Sequence, residues 1–283
     1  MKIGLVIEGG GFRGVFCEGI TSFLLDNDIE IPYVIGVSMG AINATNYLSK
    51  QSRRNIEIIE QFLGDSRYMS KRNLIRSGSL FGMDFIFNDI AHKHHPFDFG
   101  TFNASKQDFN IVSMNCYNGQ SHYTSNKDHN ADEMMWALRA STSLPFISRK
   151  VSINGQPHLD GGITDPIPVK KALDDGCDKL IILLTRDKDY SKSAFKGSRL
   201  CSVLYNKLPE IKNGLENRHI IYKESLSFVK QLEKEGKALV FRPENPLDVS
   251  RTEKDFKKIK LAFDQGYSLA SRRKKEIYDF IQS

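Results

Sequence analysis

The chain has 283 residues, of which 40% are hydrophobic and 26% are charged, and this composition fits a soluble globular protein with a sizeable core. Its longest apolar stretches fall far short of the roughly 20 residues that cross a bilayer. The first residues lack the apolar core of a signal peptide, so we expect a cytoplasmic protein. A net charge of +6 favours anionic partners, with phospholipid surfaces and nucleic acid as the candidates.

The chain opens with alternating strands and helices. Apolar patterning predicts strands at residues 2–7 and 33–37, each followed by a helix, at 15–25 and at 41–48. Such alternation predicts an α/β fold with parallel strands, in which ligand sites gather at the carboxyl ends of the strands. Each of the two strands is followed by a glycine-rich turn at that end.

Two hairpins and two further strands are predicted downstream. Asn-Gly dipeptides at 118–119 and 154–155 separate apolar runs and indicate hairpin turns. Residues 179–185 form a continuous apolar run, which is typical of a central buried strand, and residues 238–241 predict a last strand. The chain has no internal repeat or low-complexity linker, so we expect one domain over residues 1–283.

The C-terminal region is basic. Ser250 and Glu253 have the spacing of a capping box and predict the start of the closing helix. Along residues 251–275 basic and apolar residues alternate at helical spacing, which favours a core-packed helix with a solvated face over a membrane-binding patch. Segments 74–102 and 186–220 fit a sheet poorly. Each is either a lid over a hydrophobic site or an ordinary surface loop.

A serine in a sharp turn carries the strongest chemical signal. The stretch Gly36-Val37-Ser38-Met39-Gly40 follows a predicted strand and precedes a predicted helix. Glycines two positions on either side of the serine are needed because side chains would clash in so tight a bend. The helix N-terminus stabilises negative charge that develops nearby. The serine is therefore a candidate nucleophile.

A nucleophilic serine needs a base, and two kinds are open. None of the seven histidines lies in a strong catalytic signature, although His158 and His219 remain alternatives. Asp160 ends a predicted strand and precedes Gly161-Gly162, a turn that fixes a carboxylate in place. An aspartate can take the serine proton directly when the two side chains face each other in a site that limits water.

Neither a nucleotide nor a metal is favoured as a cofactor. Gly9, Gly11 and Gly14 match the dinucleotide-binding pattern, and Asp28 lies where a ribose-binding acid is expected. That interpretation leaves the serine and aspartate turns unexplained. The histidines at 92–95 lack acids or thiols at ligand spacing, so no metal site is predicted.

Together these motifs resemble the patatin-like phospholipase family, most closely its bacterial members. The motifs are, in chain order, the glycine loop 9–14, the serine turn 36–40, Arg139-Ala140-Ser141 with Pro145, and the aspartate turn 160–162. The resemblance is strong over residues 3–170, the expected catalytic core, and loose over 171–283. It implies an α/β fold of three layers, α/β/α, with a mostly parallel central sheet.

The resemblance also implies a mechanism and a set of residues. Ser38 would be the nucleophile and Asp160 its base in a two-residue dyad that forms an acyl-enzyme. The remaining site residues are Gly9, Gly10, Gly11, Arg13 and Gly14 in the oxyanion hole, Gly36 and Gly40 beside the nucleophile, and Gly161 and Gly162 in the aspartate turn. Besides lining the hole, Arg13 either holds the loop or an anionic substrate, or pairs with a carboxylate.

The implied substrate is a lipid or another fatty-acyl ester, with no cofactor and no nucleic acid, and the implied role is lipid degradation. Peripheral contact with an anionic membrane stays open, as does the oligomeric state. The alternative class is a non-catalytic lipid-binding protein on the same scaffold.

Overall fold

A mixed, mostly parallel sheet of eight strands forms the centre of the fold. The computed structural model describes residues 1–283. The strands are β1 (Ile3–Ile7), β2 (Tyr33–Val37), β3 (Asp108–Asn115), β4 (Ser121–Ser125), β5 (Val151–Ile153), β6 (Gln156–Asp160), β7 (Lys179–Leu183) and β8 (Ala238–Phe241). Their order is β5-β6-β3-β2-β1-β7-β8, with β4 paired to β3. The run from β3 to β8 is parallel, whereas β4, β5 and β6 pair antiparallel.

Helices cover both faces of the sheet. They are α1 (Val15–Asp26), α2 (Met39–Leu48), α3 (Arg54–Phe62), α4 (Lys71–Ser77), a π-helix (Phe85–His94), α5 (Phe99–Ala104), α6 (Ala131–Ser141), α7 (Val169–Asp174), α8 (Ser198–Leu204), α9 (Pro209–Lys234), α10 (Phe256–Arg272) and α11 (Lys274–Gln282). Short 3₁₀ turns lie at Gly11–Gly14 and Gly161–Ile163.

Two cores follow from the alternation of side chains along the strands. In β1, Leu5 and Ile7 join one core with α1, α2 and α6, whereas Val6 joins another with α7 and α9. Successive side chains of a strand point to opposite faces, so a fully apolar strand supplies both cores. The result is the three-layer α/β/α arrangement that the family resemblance implies.

The ends of β2 and β6 meet along one edge of β3. Val112 pairs with Val37 of β2, and the next residue, Ser113, pairs with Asp160 of β6. Strand β4 occupies the other edge of β3 at both positions. Because β2 runs parallel to β3 and β6 runs antiparallel, their carboxyl ends approach head to head. The residue that follows β2 therefore lies beside the last residue of β6.

The elements predicted from short-range patterns are confirmed. Strands 33–37 and 238–241 have their predicted bounds, and β7 is buried between β1 and β8. Both hairpins form at the Asn-Gly dipeptides. In the second, Asn154 has φ 51° and Gly155 φ 76°, the pair of positive angles that the favoured two-residue hairpin turn requires.

The predicted start of the closing helix is wrong. Asp255 caps α10 by accepting a hydrogen bond from the Lys257 amide at 2.9 Å. The Glu253 carboxylate does accept from the Ser250 amide, but it also accepts from the amides of Lys254 and Asp255. A carboxylate bound to amides on both sides closes a turn, so the helix begins only after it. The apolar side of α10 packs against α1, as predicted for a core-packed helix.

The helices and the cysteines can both be compared with what the sequence predicts. None of the helices combines the length and apolar character that a bilayer-crossing segment needs. All four cysteines are buried and free.

A buried glutamate predicts how stability depends on pH. Glu18 in α1 is buried, and burial raises its pKa to about 8, so its carboxyl is neutral in the fold at pH 7. The unfolded chain loses this proton near pH 4, so the free energy of unfolding falls as pH rises from about 4 to 8. Each pKa unit is worth about 1.4 kcal/mol. We expect Glu18→Gln to flatten this slope in urea unfolding measured between pH 5 and pH 8.

The matched control is Glu60→Gln, an exposed glutamate on the neighbouring α3 that does not contribute to the raised pKa of Glu18. It should keep the wild-type slope. Equal slopes for wild type and Glu18→Gln would contradict the assignment of a neutral Glu18.

Candidate active site

Ser38 lies in a strained turn between β2 and α2. Its backbone has φ 56° and ψ −124°, outside the regions that a non-glycine residue ordinarily occupies. A Cβ at Gly40 would lie 2.4 Å from the carbonyl oxygen of Ile7, and one at Gly36 would lie 2.6 Å from that of Gly40. Glycines are therefore required where α2 starts against β1 and β2, as the motif predicts.

Asp160 is the last residue of β6, and its two carboxylate oxygens have different surroundings. Oδ1 accepts a hydrogen bond of 2.7 Å from the Gly162 amide. Oδ2 is buried and has no hydrogen-bond partner. Burial raises the pKa of this carboxyl, whereas Arg218 and the Ser38 hydroxyl lower it. An unpartnered buried oxygen is costly, so Oδ2 is set up to receive a donor.

The Ser38 hydroxyl is the neighbouring donor. Ser38 and Asp160 line the same pocket. The hydroxyl is close enough to favour the charged form of the carboxylate and so lower its pKa. It nevertheless forms no hydrogen bond with Oδ2, which has no partner. Catalytic hydrogen bonds are often long in a ligand-free site and shorten when substrate binds.

The end of α6 holds both turns. Ser141 Oγ accepts a 2.8 Å hydrogen bond from the Ser38 amide, and the Ser143 carbonyl accepts one of 2.9 Å from the Asp160 amide. Two residues at one helix end thus fix the serine and aspartate backbones relative to each other. Sequence reasoning assigned no role to Ser143, and Ser141 entered only as part of a motif.

The glycine loop leaves its amides unused. The amide groups of Gly9, Gly10 and Gly11 donate to no other group of the chain, and all three residues line the pocket of Ser38. Gly14, which the sequence places in the same set, lies apart from this pocket. Its carbonyl accepts a hydrogen bond from Asn43 Nδ2 at 2.7 Å.

Arg13 lines the pocket but pairs with no carboxylate. Its Nη1 donates to the Val249 carbonyl at 3.3 Å, and its buried Nε has no partner. Burial and the nearby cations Arg186 and Arg251 lower its pKa to about 10. Pairing with a carboxylate, one of the two roles considered for Arg13, is therefore not observed, and the other role, holding the loop or an anionic substrate, stays a prediction.

Four further cations were missed by sequence reasoning. With Arg13 they form the cationic pocket beside Ser38, whose members are Arg13, Arg186, Lys192, Arg218 and Arg251. Arg186 follows β7 by three residues, so the rule that sites gather at strand ends could have found it. Arg218 lies within α9 and Arg251 in the turn before α10, where no local pattern indicates an active site.

An apolar cavity adjoins the cationic pocket. Ser38, Gly11, Leu144 and Arg251 line both spaces. The apolar cavity has a volume of about 110 Å³. Its walls include Phe12, Met39, Ile42, Ile58, Phe81, Met83, Ile86, Phe87, Ile90, Phe97 and Leu138. Many of these belong to segment 74–102, which is therefore a wall of the cavity, built around the π-helix, rather than a plain surface loop.

The histidines lie outside the Ser38 pocket. His158 Nδ1 is hydrogen-bonded to Ser113 Oγ at 2.9 Å, and burial lowers its pKa to about 4. His219 Nδ1 contacts the Glu216 carbonyl within α9. Neither lines the pocket, so the structure brings Asp160, and no histidine, to the serine.

The chain belongs to the patatin-like phospholipase family, because the model of that family matches residues 5–173. A second model, a domain of unknown function (DUF6363), matches residues 208–282. An uncharacterized protein YjjU of Escherichia coli is 27% identical over 65% of this chain and 52% of its own length. The lysophospholipase nte1 of Aspergillus terreus is 26% identical over 59% of this chain and 11% of its own.

The chain thus spans about half the length of the bacterial relative and about a tenth of the fungal one. Among solved structures, VipD from Legionella pneumophila aligns with a TM-score of 0.49 at 13% identity, over 96% of this chain and 66% of that chain.

The contact between Ser141 and the serine turn generates a stability prediction. Ser141→Ala removes the acceptor of the buried Ser38 amide, which should cost about 1–3 kcal/mol. Ser143→Ala is the control: its equally buried hydroxyl donates to the Arg139 carbonyl, which also accepts from Thr142 Oγ1. Denaturant unfolding should show a larger loss for Ser141→Ala. Losses of the same size would rule out a special role for this contact.

Proposed function

We propose that the protein is a serine acyl hydrolase that cleaves fatty-acyl esters, with Ser38 as nucleophile and Asp160 as base. One observation carries the proposal. The carboxyl ends of β2 and β6 meet on β3, so Ser38 lines one pocket with the buried carboxylate of Asp160, whose Oδ2 has no partner. Family membership supports the same reaction class, as does the similarity to a fungal lysophospholipase.

In the first step the ester bond is exchanged for an acyl-enzyme. The Ser38 Oγ attacks the ester carbonyl carbon while its proton passes to Asp160 Oδ2. The bond from the carbonyl carbon to the alcohol oxygen then breaks. The leaving alcohol takes the proton from Asp160, and the acyl group stays on Ser38.

In the second step water releases the acyl group. Asp160 accepts a proton from the water molecule, whose oxygen attacks the acyl carbon. The bond to Ser38 Oγ breaks, Ser38 recovers its proton from Asp160, and a fatty acid leaves. No group is consumed, so the site returns to its starting state.

The glycine loop supplies the donors for the developing oxyanion. The free amides of Gly9, Gly10 and Gly11 stand in the pocket of Ser38, and preorganised amides of this kind stabilise charge that appears only in the transition state. Losing one such donor typically costs about 10² to 10³ in turnover. Arg13, which lines the same pocket, adds positive charge to it.

The two adjoining spaces would hold different parts of the substrate. Since the apolar cavity opens at Ser38, it is the place for the acyl chain, and the alcohol part faces the cationic pocket. An engineered cavity of about 150 Å³ holds benzene. A cavity of about 110 Å³ therefore takes a short acyl segment, and a longer chain requires the wall around the π-helix to move.

The test is hydrolysis of a p-nitrophenyl ester with a short acyl chain. We expect Ser38→Ala and Asp160→Asn each to lower kcat/KM by about 10³-fold or more, because nucleophile and base act as a unit. His219→Ala is the control, since its side chain lies outside the pocket and should leave the rate unchanged. A wild type no faster than Ser38→Ala would overturn the enzyme proposal in favour of a lipid-binding protein.

The environment of Asp160 also predicts the pH profile. The base must be ionised, and burial raises its pKa, so the acid limb of kcat/KM should lie above the ordinary carboxyl value of about 4. Arg218 lowers this pKa. Arg218→Gln should therefore raise it and move the acid limb to higher pH.

Arg218→Lys keeps the positive charge and is the matched control for this profile. Its acid limb should stay near that of the wild type. An acid limb that does not move in Arg218→Gln would show that the carboxylate is not the titrating base.

A further inference from the structure

The cationic pocket holds more positive charge than the chain itself neutralises. It contains four arginines, one lysine and two carboxylates, Glu8 and Asp160. Burial and the neighbouring arginines lower the pKa of the lysine, Lys192, to about 7, so the four arginines supply most of the charge. None of the five cations forms an ion pair with any carboxylate. Repulsion among cations in a half-buried pocket opposes folding, so such a cluster indicates a place where an anion binds.

Neither carboxylate of the pocket forms a salt bridge with a cation, although both lie close enough to Arg218 to favour its charged form. Glu8 accepts hydrogen bonds from the Thr185 amide at 2.6 Å and the Tyr222 hydroxyl at 2.8 Å. Asp160 faces Ser38 and the Gly162 amide. Their hydrogen bonds go to neutral donors, and two carboxylates offset only part of the charge of the five basic side chains.

The aromatic rings of the pocket are already covered by cations. The Arg186 guanidinium lies 4.1 Å from the ring centre of Tyr190, and Lys192 Nζ lies 4.4 Å from that of Tyr222. A quaternary ammonium binds best on free aromatic faces. In this pocket the basic side chains already cover both rings, and their positive charge would repel a quaternary ammonium. A choline head group is therefore disfavoured.

The pocket lies on the alcohol side of the ester. It shares Ser38 and Leu144 with the apolar cavity, which takes the acyl chain. The leaving alcohol of an ester bound at Ser38 therefore projects among the cations. Arginines bind phosphate through paired donors, and lysine adds a point charge.

We propose that the cationic pocket binds a phosphate on the alcohol part of the ester and selects head groups without a cation, as in lysophosphatidate or lysophosphatidylglycerol, over choline and ethanolamine esters. This inference rests on the proposed acyl-hydrolase function. It assigns specificity to Arg186 and Lys192, which lie outside the residues proposed to carry out the chemistry.

The experiment compares kcat/KM for hexanoyl lysophosphatidate and hexanoyl lysophosphatidylcholine. Both are used as monomers below their micelle concentration, so that an anionic interface cannot attract the basic protein. Wild type should prefer the lysophosphatidate by about tenfold or more, the gain expected for one charge-assisted hydrogen bond. Arg186→Gln and Lys192→Gln should each lower this ratio several-fold, and the double variant should bring it near one.

The matched control is Lys188→Gln, which removes the same charge from the same segment but outside the cationic pocket. Its ratio should equal that of wild type. An equal fall in Lys188→Gln would mean that general attraction causes the preference, and it would overturn the inference.

A second experiment uses the wild type alone and distinguishes a head-group phosphate from a free phosphate ion. It compares three inhibitors: glycerol 3-phosphate, inorganic phosphate and glycerophosphocholine. Glycerol 3-phosphate should compete with a neutral hexanoyl p-nitrophenyl ester, and glycerophosphocholine should not. Inhibition by inorganic phosphate as strong as by glycerol 3-phosphate would assign the pocket to a free anion and overturn the head-group inference.

The two proposals fail in different ways. A wild-type ratio near one, with the neutral ester still hydrolysed, overturns the inference and leaves the acyl hydrolase standing. If the wild type hydrolyses no ester, the proposed function fails. Calorimetric titration of wild type and Lys192→Gln with glycerol 3-phosphate then decides whether the pocket binds a phosphate.

Discussion

The site depends on the edge of β3 that two oppositely directed strands share. Strand β2 reaches Val112 and β6 reaches Ser113, so the residues at their ends have adjacent places on one edge. The space between them is small: a Cβ at Gly161 would lie 2.3 Å from the Val112 carbonyl oxygen. Backbone pairing thus brings the serine turn and the aspartate turn together, and the end of α6 fixes their backbones from the side.

Burial and positive charge act on Asp160 in opposite directions. A desolvated carboxyl favours its neutral form, and a neutral acid cannot accept the serine proton. Arg218 and Arg251 counteract this, and both belong to the cationic pocket. In the proposed mechanism, the same cations would favour the ionised base and provide a place for an anionic substrate. An anion bound there would weaken their effect on the carboxyl, so occupancy of the pocket and the basicity of Asp160 are coupled.

Sequence patterns located the parts of the site that depend on neighbouring residues. The serine turn, the aspartate turn and both hairpins follow from spacings of two to five residues, which determine local backbone geometry. The prediction of where α10 starts was wrong, because Glu253 has the spacing of a capping box but its carboxylate closes a turn before the helix. The cationic pocket gave no comparable signal, since Arg218 lies on a long helix that also carries ordinary surface charges. Only the packing of α9 over the sheet brings it to Gly162.

The placement of these cations bears on the unit that carries the function. The family model ends at residue 173, yet β7 continues the sheet beside β1, and Arg186, Arg218 and Arg251 come from beyond that point. The carbonyl of Arg251 also accepts the Phe12 amide of the glycine loop. A fragment ending near residue 173 would expose one edge of β1 and lose these cations. We therefore propose that residues 1–283 act as one domain, in which the region of unknown function at 208–282 completes the substrate pocket of the patatin-like core.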